Sequence, residues 1–142
     1  MFALEVLVPE PGSILGVRIG MDEQAVRALF GQLVLINETE EPEGTCGAWS
    51  TDLLDGPGQL TVRFVRGRVR DVYWSVALDE KEVSALSKVL RAHLKRIYGV
   101  APAGADKVYR STTPVQHFAW TTKWGFDPTN FKLEMFPGHG SD

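Results

Sequence analysis

Cysteine is almost missing from this chain of 142 residues. The single thiol, Cys46, excludes an intrachain disulfide, so a packed core must hold the fold, as expected in a reducing compartment. Long apolar runs are missing too. Nothing approaches the roughly 20 residues needed to cross a bilayer. The N-terminal MFALEVLVPEPG carries Glu5, has no basic flank and is too short in its apolar run for a secretory signal. The expectation is a cytoplasmic protein with no membrane partner.

Clustered metal or catalytic ligands are equally scarce. None of His93, His117 and His139 has a second ligand at i+3 or i+4, and Cys46 has no neighbouring Cys or His. No metal site, no catalytic residue and no cofactor is therefore expected, although folding can still bring a Cys–His pair together. Gly16–Gly20 and the turn Gly56-Pro57-Gly58 lack the Lys-Ser/Thr or second glycine pair of a phosphate cradle. Turn geometry accounts for these glycines.

Positive charge is absent from one long segment. Between Arg27 and Arg63 there is no Lys or Arg, whereas Glu38, Glu40, Glu41, Glu43, Asp52 and Asp55 all fall there. Arg63, Arg66, Arg68 and Arg70 follow at once. The net charge of −3 is too small to imply nucleic-acid binding. Phe64, the aromatic residue between Arg63 and Arg66, alternates to the apolar side with Leu60 and Val62 rather than standing among the arginines as a stacking platform, so nucleic acid is not the expected partner. A carboxylate, internal or from a partner, suits them better.

What is present is enough for one domain. The length and the 44% hydrophobic content allow a single core over residues 1–142, with Pro137–Asp142 a tail that has nothing to bury. The stretch Asp79–Tyr98 places Val83, Leu86, Leu90, Leu94 and Ile97 at helical spacing, with Val89 widening the stripe. Lys81, Ser84, Lys88, Arg91 and Lys95 form the opposite face. Asp79 and Glu82 suit an acidic capping box, and Gly99 suits the stop. Ahead of it, Phe2–Val8 reads as a strand ended by Pro9. A short helix runs from an Asp22 cap to Phe30, with Val26, Leu29 and Phe30 apolar and Gly31 as its stop, and Leu33–Ile36 reads as a strand. Glu38–Gly47 reads as an acidic loop and Ala48–Leu54 as a further strand. Leu60–Val65 and Val69–Val76 form a hairpin about Arg66-Gly67, in which Arg63 would oppose Arg70. Val115–Trp124 and Phe131–Phe136 read as an antiparallel pair after the linker Ala101–Asp106. The fold class is α+β: a mostly antiparallel sheet with one long helix packed on a face and one short N-terminal helix.

GVRIGMDEQAVRALFG, Gly16 to Gly31, resembles the G-x-x-x-G-M-(S/T)-x-x-x-V-x-x-x-x-G motif of the small α+β modules of the SmpA/BamE and β-lactamase-inhibitory-protein type. FVRGRV, Phe64 to Val69, is similar to their F-x-x-G-x-V hairpin. Asp22 stands where Ser or Thr is usual, there is no acylated N-terminal cysteine, and the long helix follows the hairpin. The resemblance implies a module that works by binding another protein. Bacterial immunity proteins are a fold-level analogy of similar size and acidity.

The leading expectation is a non-enzymatic protein-binding module, an immunity or inhibitor protein. Its basic partner would meet Glu38, Glu40, Glu41, Glu43, Asp52 and Asp55, with Trp49 as the apolar anchor because it follows the acids directly. The other tryptophans, Trp74, Trp120 and Trp124, read as core. Two alternatives stand beside it: a small enzyme or ligand-binding domain with a pocket between sheet and helix, and a homodimer paired through an exposed strand edge. The helix faces give a first prediction. In urea melts, Leu90→Ala costs about 2–5 kcal/mol through the cavity it leaves, and Lys88→Ala stays within about 0.5 kcal/mol; equal losses would reverse the faces.

Overall fold

The computed structural model describes residues 4–51, 58–78, 80–99, 108–112, 115–123 and 129–137. Asp79, the linker 101–106, Trp124 and nearly all of the tail lie outside them. Among the described residues seven strands form one sheet, β1 Leu35–Glu41, β2 Gly44–Ser50, β3 Gln59–Val65, β4 Arg68–Leu78, β5 Val108–Thr112, β6 Val115–Lys123 and β7 Thr129–Pro137. They lie in the order β1-β2-β3-β4-β7-β6-β5, and every described pairing is antiparallel. Among the described residues the helices are α1 Leu4–Leu7, α2 Glu23–Leu29 and α3 Glu80–Tyr98. The fold is α+β. Among the described residues, no helix is long and apolar enough to cross a membrane.

One face of the sheet carries the core. Trp49, Leu60, Trp74 and Leu133 stand opposite one another on β2, β3, β4 and β7, all buried. Period-two alternation puts Val62 and Val72 on the same face one step along, also buried. Leu86, Leu90 and Leu94 of α3 and Val26 of α2 complete the cluster with Phe30 at the end of α2. Val89 is 48% exposed. The position inside the stripe belongs instead to His93, buried with Nε2 donating to the Val8 carbonyl at 2.8 Å and Nδ1 accepting from Arg96 at 2.7 Å. That pattern fixes the neutral Nε2–H tautomer and ties α3 to the segment after α1. The Tyr98 hydroxyl adds a second tie, accepting from the Gly12 N–H at 2.9 Å.

Four expectations need correction. The described part of Phe2–Val8 is not a strand: Leu4–Leu7 makes one helical turn, closed by Val8 N–H to Leu4 C=O at 2.8 Å. So short an apolar run has no readable period, and here no neighbouring strand claims it. In α2, Asp22 caps the Gln24 N–H at 3.0 Å as expected, but Leu29 is 51% exposed. Glu38–Gly47 is not a loop. It supplies most of a hairpin, with the two-residue turn Pro42-Glu43 between β1 and β2. In the β3–β4 hairpin, Arg66 and Gly67 turn with positive φ (53° and 78°), which matches the twist of the strands. A bulge then leaves Arg70 without an opposite residue and sets Arg63 against Asp71, so two arginines do not face each other.

Candidate partner-binding edge

Because β1 is one of the two edge strands of the sheet, its seven residues, LINETEE, are exposed or, at Glu41, half-buried. The apolar end is conspicuous: Val34 is 66% exposed, Ile36 53% and Leu35 43%. A register shift between Leu35 and Asn37 leaves Ile36 outside the ladder with β2. Leu29 of α2 adds another exposed apolar side chain. The acids follow immediately along the same strand.

Most of these acids are held by arginines from other elements. On the helix-covered face, Arg27 donates from Nε (3.0 Å) and Nη2 (2.8 Å) to Glu23 Oε2 and pairs through Nη2 with Glu38. Its guanidinium lies 5.8 Å from the centroid of Trp49 and 5.6 Å from that of Phe64, a cation–π placement on two rings. Thr45 Oγ donates to the same Glu23 oxygen at 3.2 Å. Burial disfavours the charge on Arg27, but the bonds to Glu23 and Glu38 outweigh it and hold its pKa above the ordinary value. On the opposite face, Arg63 Nε donates to Glu41 at 3.1 Å and Nη1 lies 3.6 Å from Asp71. Asp71 first, then Glu41, raises the Arg63 pKa against the effect of burial. At the two adjacent turns Arg66 pairs with Glu43 at 3.3 Å, and its N–H donates to the Glu43 carbonyl at 2.9 Å. Glu40 has no ion pair among the described residues.

Trp49 does not belong to this surface. It is 4% exposed and packs on Phe30, with ring centroids 5.2 Å apart and planes tilted by 57°. Its indole also lies across Gly47, where an added Cβ would come within 2.7 Å of the ring. Trp49 is a core residue, because its strand position carries it to the helix-covered face. Asp52 and Asp55 lie outside the described residues. Thus Glu38, Glu40, Glu41 and Glu43 share one edge, and Val34, Leu35 and Ile36 replace Trp49 as its apolar neighbours. The sequence signal for the latter was their continuous, non-alternating run directly before the acids.

A separate groove of about 590 Å³ lies between α1 and α3, lined by Leu4, Ala85, Val89 and Ala92 with Glu5 and Arg96. Its histidine, His93, has both ring nitrogens engaged. Cys46 and His93 are not brought together: Cys46 stands opposite Thr39 and Arg63 on the sheet, whereas His93 is bonded to the Val8 carbonyl beside α1. Among the described residues no three His, Cys, Asp or Glu side chains gather to hold a metal ion. No family model, curated protein or solved structure matches the chain.

Two outcomes follow for this region. Trp49→Ala lowers stability by about 3–5 kcal/mol in denaturant melts, the cost of truncating a buried aromatic; a loss near zero would return Trp49 to the surface. Burial, reinforced by Glu41 and opposed by Arg63, pushes the Cys46 thiol above its ordinary pKa. Less thiolate is then present at neutral pH, so alkylation of native Cys46 is slower than in the urea-unfolded chain and speeds up in Glu41→Gln. Equal rates in the native protein, the variant and the unfolded chain would remove the electrostatic explanation.

Proposed function

We propose that this protein is a non-enzymatic, cytoplasmic binding module, an immunity or inhibitor protein, that engages a basic protein through the acidic β1 edge. In this reading α3 is the one long helix covering a sheet face, which leaves the edge free for a partner. The observation that carries it is the exposure of Val34, Leu35 and Ile36 beside Glu38, Glu40 and Glu41 on an outermost strand. Apolar side chains rimmed by charge of one sign suit a specific interface, with the charge speeding encounter and the apolar contact slowing release.

The resemblance to the SmpA/BamE and β-lactamase-inhibitory-protein modules rests on two stretches of the sequence. Its two stretches meet through Gly20 N–H to Val69 C=O at 2.8 Å and Val69 N–H to Met21 C=O at 2.9 Å. The two stretches are thus hydrogen-bonded neighbours in this fold.

The open strand edge also favours a second reading, a homodimer paired through β1. Co-expression with the product of the neighbouring reading frame, followed by purification and binding kinetics, separates the two. Glu40→Lys slows association, more at low salt than at high. Ile36→Ser speeds dissociation, at a cost of about 2 kcal/mol if it lies at the centre of the contact, while leaving the melting temperature in place. Normal binding by both variants would put the interface elsewhere, and a stable dimer of the isolated chain would favour the second reading.

A further inference from the structure

We infer that β1 receives its partner by strand addition: an extended segment, apolar near Leu35 and Ile36 and carrying Lys or Arg beside Glu38–Glu41, continues the sheet. This rests on the acidic edge being the partner site and specifies how that site works.

Three features point to an incoming strand rather than a flat surface contact. Among the described residues no strand pairs with the outer side of β1. Alternate N–H and C=O groups of an outermost strand turn away from its neighbour, leaving them open to another chain. Two of the usual guards, Pro and Lys, are missing from the strand itself, Pro42 comes only after it, and the bulge lies towards one end, at Ile36. From Asn37 to Glu41 the pairing with β2 is regular, so the outer side of that stretch is equally regular.

The charge pattern selects the occupant. The inner neighbour β2, GTCGAWS, carries no charge that could answer the acids along the strand. Arg27 takes Glu38 from one face and Arg63 takes Glu41 from the other, leaving Glu40 with no ion pair among the described residues. A basic residue opposite Glu40 on a new strand forms a cross-strand ion pair. A second copy fits poorly. Antiparallel self-pairing over the whole strand centres on Glu38, sets it against its own image, and places Ile36 and Leu35 opposite Glu40 and Glu41. Parallel self-pairing in register stacks like charges.

The probe is a fluorescein-labelled peptide of alternating valine and lysine. A valine–glutamate peptide serves as control, together with a valine–lysine peptide N-methylated at alternate amides. Fluorescence anisotropy on the full chain is expected to give binding about tenfold or more tighter for valine–lysine than for valine–glutamate. N-methylation should cost about tenfold or more by removing ladder hydrogen bonds. Hydrogen exchange of the Asn37–Glu41 amides should slow on binding, and Glu40→Lys should weaken it. If the N-methylated peptide binds equally while Glu40→Lys still weakens binding, strand addition is overturned and the acidic edge stands. If valine–lysine and valine–glutamate bind alike and β1 exchange is unchanged, both fall. Exchange protection of β1 that grows with protein concentration alone would overturn the inference in favour of a second copy.

Discussion

The buried row of Trp49, Leu60, Trp74 and Leu133 is the constraint on which the other elements depend. It crosses four strands at one level and makes the sheet two-sided in character, with apolar bulk on a single face. Phe30 stacks on the Trp49 end, while Leu86, Leu90 and Leu94 join the same cluster from α3. Once that face is fixed, alternation assigns every neighbouring side chain on the central strands. Glu38 and Arg27 meet on the covered side; Glu41, Arg63 and Asp71 meet on the other. The electrostatics of the edge are therefore set by core packing.

This order of causes explains which parts of the molecule were legible in the sequence. Local signals were strong where one period or one cap was enough. Asp22 does cap α2, Arg66-Gly67 does turn β3 into β4, and Leu86, Leu90 and Leu94 are buried at helical spacing. The acidic segment was misread because its composition suits a solvated loop, and edge strands tolerate that same composition. Arginines far away in sequence, at 27, 63 and 66, make the strand acceptable, and no local window contains them. The facing of Arg63 failed for a related reason: a one-residue bulge changes every partner beyond it, and a bulge has no composition of its own. Trp49 was placed outside by its nearness to the acids, whereas its face is decided by its alternation with Ala48 and Ser50 and by the indole lying over Gly47.

The candidate site was accordingly half legible. The acids were found by counting charge, and four of them do share an edge. Their neighbours Val34, Leu35 and Ile36 were visible only as a strand, because exposure depends on the rank of that strand in the sheet. Compensation also changes what the acids can do. With Glu38, Glu41 and Glu43 each paired with an arginine, much of the negative charge of the edge is compensated within the fold.

The junction of β4 with β7 bears on how the chain acquires this shape. Each of the pairs β1–β2, β3–β4 and β5–β6 joins neighbours in sequence, so these hairpins close over short distances. The pairing of Val72 with Met135 and of Trp74 with Leu133 must wait until α3, β5 and β6 have been spanned. That is the costliest loop closure in the described sheet, and it delays completion of the molecule until a non-local search succeeds. Before that step β4 is itself a bare margin, so the nascent protein carries, besides the β1 border, an unpaired one that the finished protein conceals.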